Sequence, residues 1–223
     1  MTSLALLQLV SPALPVGAFS YSEGLEHVIQ TGLIKTELEV CDWLESELRW
    51  GSLRLEAAAL SVFQQDFLSW LNHGDLTAAT RLVDLDGWLL ATREASEVRA
   101  QQRQMGCSLL ELMTELGHPL PEPCLLGWPA AWAWAATVME ISAIEMVQGY
   151  LFGWVANQLS AAVRLLPLGP TRAQVLQRRL SPLIIQQANF LLGEDPRTMW
   201  SSGLGASMAQ LAHSELYSRL FRS

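Results

Sequence analysis

Three features of the sequence predict an all-α fold. β-branched residues nowhere alternate with polar ones for long. Apolar residues recur at three- and four-residue steps through most of the chain. Ser or Thr stands three residues ahead of Glu or Gln before several apolar runs, the pattern of a helix N-terminus. At 223 residues the chain falls below the roughly 250–300 at which cores divide, so a single domain over residues 1–223 is expected. Its form is an irregular bundle of about 8–10 helices.

The elements follow in order. Ser20-Tyr21-Ser22-Glu23 has capping-box spacing, so a helix is predicted to start there and to end near Gly32. Thr36-Glu37-Leu38-Glu39 repeats the box ahead of Val40, Trp43, Leu44, Leu48, Leu55 and Leu60, which draw one apolar stripe. Asp75 caps a further helix through Ala78, Ala79 and Leu82, and another covers roughly Arg93 to Leu116 before Gly117-His118-Pro119 stops it. After a loop over residues 119–129, a helix runs from Ala130 to Leu166 with a break near Glu140. Gly169-Pro170 punctuates, Thr171-Arg172-Ala173-Gln174 offers a third capping box, and a last helix spans about Leu204 to Leu216.

Half of the residues are hydrophobic and only 16% are charged, against about 25% in ordinary domains. With nine tryptophans and a mean hydropathy of +0.21, the chain folds, and some of its apolar surface is expected to meet another chain. The net charge of −8 is uneven: residues 1–115 hold 16 acids and 7 bases, residues 116–223 hold 6 and 7. Such a chain repels phosphate backbones, which excludes nucleic acid as a partner. Cys41, Cys107 and Cys124 form neither a disulfide framework nor a zinc cage and point to a reducing cytoplasm. Met1–Ser22 lacks a basic n-region and is interrupted by prolines, so it is expected to stay attached as no signal peptide. The uncharged runs Pro123–Met139 and Met146–Val163, 17 and 18 residues long, are too short or too interrupted to span a bilayer and are expected as buried helices.

Searches for chemistry give little. His27, His73, His118 and His213 stand apart, with no H-x-x-x-H pair; no glycine-rich loop ends in G-K-[ST]; no G-x-S-x-G elbow holds a serine. Trp128, Trp132 and Trp134 are expected in the core or at a dimer contact. Gly149 and Gly153 share a helix face that permits close packing. Arg93 and Glu97 stand four apart and can pair, with Glu94, Arg99 and Arg103 adding charge: a solvated face or a partner surface.

Three stretches carry a resemblance. LLQLVSPALPVGAFSYSEGLE, from Leu6 to Glu26, matches an opening signature of S-P-x-L-P-x-G-x-[FY] followed by S-x-G-L-E. TREASEVRAQQRQMG from Thr92 and AAVRLLPLG from Ala161 form the second, and the terminal YSRLFRS from Tyr217 to Ser223 the third. Together these resemble the urease accessory protein UreF family along the whole chain. Pro170 departs from the pattern, standing where the family often has glutamine.

The resemblance implies an all-α homodimer that joins UreD, called UreH in some species, to the GTPase UreG and acts with them on apo-urease. In that scheme nickel insertion and carbamylation of the urease active-site lysine depend on GTP hydrolysis by UreG. This chain is then a non-catalytic chaperone with no metal, cofactor or catalytic residue of its own. By the same resemblance a C-terminal segment at about 215–223, through Tyr217, Arg219, Leu220, Phe221 and Arg222, orders against UreD. Its mixture of aromatic and guanidinium groups suits an interface; the alternative is a segment folded back on the core. Arg164 is implied to face UreG, although a cation at a helix C-terminus also complements the dipole. In the opening signature capping accounts for Ser20 and Glu23, leaving Tyr21 and Glu26 for recognition. A peripheral membrane protein, another helical scaffold, and an enzyme with a site assembled from distant segments are the rival readings.

Overall fold

A computed structural model describes residues 4–223; Met1–Ser3, part of the segment tested above for a signal peptide, lie outside the described residues. Ten α-helices and one 3-10 turn follow in order: α1 Leu4–Leu9, the turn Ala18–Ser20, α2 Leu25–Gln30, α3 Glu37–Trp50, α4 Leu53–His73, α5 Leu76–Ala91, α6 Ser96–Glu115, α7 Trp128–Val138, α8 Ala143–Leu165, α9 Pro170–Leu191 and α10 Leu204–His213. Among the described residues there is no strand, and the all-α single-domain fold expected from the sequence is the one observed.

α4 is the axis of the bundle, packing on α3, α5, α7, α8 and α9. Its Ala57-Ala58-Ala59-Leu60 run is buried all round, as a helix with neighbours on every side requires. α7 is similar, buried from Pro129 to Thr137. Trp132 and Trp134 therefore lie in the core, their indoles donating to the Met146 carbonyl and the His118 carbonyl, each at 3.1 Å.

Local signals place many boundaries. Thr36 and Glu39 close a true capping box on α3, and Asp75 accepts the Thr77 amide at 2.9 Å to cap α5. The break near Glu140 separates α7 from α8, with Glu140 in the left-handed region at φ 56°. Gly149 permits the close approach expected of it, since a Cβ there would meet Leu6 Cδ1 of α1 at 2.5 Å; around Gly153 the space is open.

Three expectations are corrected. The stripe from Val40 to Leu60 is two helices, because the chain breaks at Gly51 and the exposed Trp50 carbonyl accepts the Ser202 amide at 2.9 Å. Thr171 caps nothing: α9 begins one residue earlier at Pro170, whose fixed φ and missing N–H suit the first helical position. Ser20 and Glu23 form no capping box either; α2 starts at Leu25 after Gly24, with Glu23 at φ 51° and its side chain turned inward. Arg103 stays on the solvated face, its side chain 41% exposed, and from there donates to Asp86 at 2.7 Å and to the Leu125 carbonyl at 2.9 Å. Asp86 also accepts the Gly127 amide at 2.7 Å, so α5, α6 and the start of α7 are tied together.

Candidate functional site

The Glu23 amide, which a capping box would give to the Ser20 hydroxyl, goes to the terminal segment instead. The amides of Ser22 and Glu23 and the Ser22 hydroxyl all donate to the Ser223 main-chain oxygen, at 2.7, 3.0 and 2.8 Å. The Arg222 amide donates to the Ser20 carbonyl at 2.8 Å. Glu26, wholly buried on α2, completes the clasp. Its Oε1 accepts the Leu220 amide at 2.7 Å and the Gln30 side-chain amide at 3.0 Å; its Oε2 accepts His213 Nε2 at 2.8 Å and the Phe221 amide at 3.1 Å. Four donors on two oxygens fill the capacity of a carboxylate. Burial pushes this carboxyl up, but the Leu220 and Phe221 amides and the His213 ring outweigh it and hold it below the ordinary range.

The remaining sequence-predicted residues gather around the clasp. Glu97 accepts from Arg219 at 2.6 Å and lies 3.6 Å from His213 Nδ1. The Arg164 guanidinium sits 4.4 Å over the Phe221 ring and donates to the Phe19 carbonyl at 3.0 Å. Tyr21 is buried, and its carbonyl accepts from Asn157 at 3.2 Å. Within the segment Phe221 and Ser223 are buried, whereas Tyr217, Arg219, Leu220 and Arg222 are exposed. The segment thus folds back through its main chain and presents part of its side-chain set outward.

Arg93 does not join this group, and its expected pairing with Glu97 is corrected. Arg93 precedes α6, so the helical i, i+4 geometry is absent, and the side chain is buried against α4. Its Nε donates to Glu56 at 3.0 Å, its Nη2 also reaches Glu56, and its Nη1 reaches Ser52. Glu56 also accepts the Tyr150 hydroxyl at 2.7 Å and the Gln102 side-chain amide at 3.1 Å, so one buried cluster joins α4, α6 and α8.

Sequence reasoning missed Glu56, Tyr150, His213 and Gln101, whose side-chain oxygen accepts the Ser223 hydroxyl at 2.6 Å. Glu56 had one signal, as the sole acid in the apolar run Leu53–Val62. His213 had none, since its partner Glu26 lies 187 positions away.

Next to this cluster Glu47 is buried without a cation of its own. Burial first, with Glu23 adding to it and Arg93 opposing, pushes its carboxyl up to about 7. A folded-state value above the unfolded one means stability is fully present below the ordinary carboxylate range and is lost as pH rises through about 7. Glu47→Gln is expected to remove that slope and to gain about 3 kcal/mol relative to the parent at pH 8, with little change at pH 4. Urea unfolding at the two pH values checks it.

Among the described residues no group of three or more His, Cys, Asp or Glu is placed to hold a metal ion, and no helix is long and apolar enough to cross a membrane. Fold and site together define an all-helical protein whose buried polar groups clasp its terminal segment to its opening one. Comparison with known proteins places it further. The UreF family profile matches residues 34–181. The urease accessory protein UreF of Prochlorococcus marinus strain MIT 9215 is 39% identical over 219 residues, covering 96% of each chain. That of Microcystis aeruginosa is 43% identical over 230 residues, covering 99% of this chain and 97% of its own, and that of Thermosynechococcus vestitus is 39% identical with the same coverage. The chain belongs to the UreF family of urease accessory proteins, whose general role is in urease maturation.

Proposed function

We propose that this chain is a non-catalytic scaffold of urease maturation that binds UreD (UreH) and recruits the GTPase UreG, supporting nickel insertion into apo-urease. The observation that carries this reading is the clasped segment 217–223. Its main chain is fixed by Glu26, Ser20 and Ser22, while Tyr217, Leu220 and Arg222 point outward, residue types that anchor interfaces on a backbone already ordered. A second support is the face of α10, where Leu204, Met208 and Leu211 are exposed at helical spacing beside exposed Trp200; such a patch favours burial against another chain, whether a second copy or a partner. Arg164 serves the same segment from the end of α8 by holding Phe221, and with Glu97 and Arg219 it forms the polar rim of the surface offered to partners.

The triple variant Tyr217→Ala, Leu220→Ala, Arg222→Ala keeps every main-chain bond of the clasp. Its helical circular-dichroism signal and unfolding midpoint are expected to match the parent, while tagged protein no longer captures UreD and, through it, UreG. Undiminished capture overturns the assignment of the segment.

A further inference from the structure

A cavity of about 520 Å³ lies among the segment after α1, α6, α7, α8 and the start of α9, opening beside the exposed Phe19 and Phe152. That size falls in the roughly 300–1,000 Å³ range of small-molecule sites. Its walls are apolar and aromatic, with Leu14, Met105, Trp128, Trp132 and Trp154 among them; its polar side is Glu23, Glu56, Gln102 and Tyr150.

The polar side has acceptors to spare and too little positive charge. Three carboxylates, Glu23, Glu47 and Glu56, share the surroundings of one guanidinium, Arg93. Arg93 directs its donors to Glu56 and Ser52. Glu23 receives only neutral donors, the Gln101 amide at 2.7 Å and the Trp154 indole at 3.1 Å, one on each oxygen, where each oxygen can accept about two. Gln102 is only 4% exposed, and while its Nε2 donates to Glu56, its Oε1 has no hydrogen-bond partner. A buried acceptor left unmet is costly and marks a place for a donor.

We infer that this cavity binds a small organic monocation, a guanidinium or primary ammonium head on a short apolar stem, with the head on Glu23 and Gln102 Oε1 and the stem between the tryptophans. A flat or compact cation with several N–H donors meets both acceptors, and indole faces attract it further. Burial, with the Glu56 charge adding to it and Arg93 opposing, raises the Glu23 carboxyl, and a cation held against it acts in the opposite direction. The inference concerns the isolated chain and stands apart from partner capture.

Calorimetric titration of the full chain with n-butylguanidinium, n-butylammonium and n-butanol tests it. Saturable binding of the cations, about tenfold or more tighter than the alcohol, is expected. Glu23→Gln should erase that advantage, and Gln102→Met, which keeps the side-chain volume, should weaken cation binding several-fold. A capped Gly-Arg-Gly peptide distinguishes sources: tighter binding than n-butylguanidinium assigns the site to a protein side chain, weaker binding to a free metabolite. Equal binding of n-butanol and the cations, no saturable cation binding, or a full cation advantage in folded Glu23→Gln overturns the proposal. Should Glu23→Gln not fold, the alcohol comparison and Gln102→Met decide.

Discussion

Arg93→Ala is expected to destabilise the folded chain by about 3–5 kcal/mol, because it leaves Glu56 as a buried carboxylate without its cation. The side chains of this pair are 4% and 5% exposed, so neither screening nor water compensates the loss. The Tyr150 hydroxyl and the Gln102 amide still donate to Glu56, which keeps the cost from rising further. Denaturant unfolding should show a lower midpoint with an unchanged slope. Removing both charges, as Glu56→Gln with Arg93→Met, should recover a large part of the loss, since the penalty arises mainly from the orphaned charge. A loss below about 1 kcal/mol in Arg93→Ala would mean that water reaches Glu56.

Glu26→Ala comes next in size, at about 2–4 kcal/mol, since it leaves the Leu220 and Phe221 amides and His213 without their acceptor. Unlike Arg93→Ala, this change should act locally. Residues 217–223 are held mainly through their main chain, so their cleavage by a nonspecific protease should accelerate while the helical signal remains. Glu26→Gln should be nearly as costly, because its NH₂ group would face a donor. The pH dependence has a definite sign. With the folded carboxyl held below its ordinary value, the stabilisation is present above the usual carboxylate range and disappears as pH falls through the lowered value. Protection of the segment should therefore weaken as pH falls below the usual carboxylate range. Protection equal to the parent in folded Glu26→Ala would show that Ser22 and Arg164 suffice to hold it.

Much of the helical plan was legible because its determinants are local. Thr36 with Glu39, Asp75 with Thr77, and the interruption near Glu140 each act within a few residues, and each is found in place. The failures share the opposite property. Ser20-x-x-Glu23 has the spacing of a box, but the Glu23 amide that would seek the Ser20 hydroxyl is met by Ser223, about 200 positions away, and the Ser20 amide that would seek the Glu23 carboxylate is met by the Gly17 carbonyl. Arg93 and Glu97 looked like neighbours on a helix that in fact starts after Arg93. Glu26 and the terminal segment were singled out on resemblance, yet nothing in the residues themselves indicated that they bond to each other. The family was legible from the opening and terminal signatures; the clasp between those signatures was not, because hydrogen bonds between distant main-chain amides leave no mark on side-chain pattern.

Closing residues 20–26 against 217–223 also imposes a timetable. On a chain emerging from the ribosome, α2 is made well before residues 217–223, and Glu26 must wait for Leu220 and Phe221 before its charge can be shut in. Until then the region around α2 has an open, water-seeking carboxylate and stays unlatched. The exposed side chains of Tyr217, Leu220 and Arg222 are thus set in place only once this segment has reached α2, and a nascent chain, or one clipped ahead of Leu220, lacks the clasp.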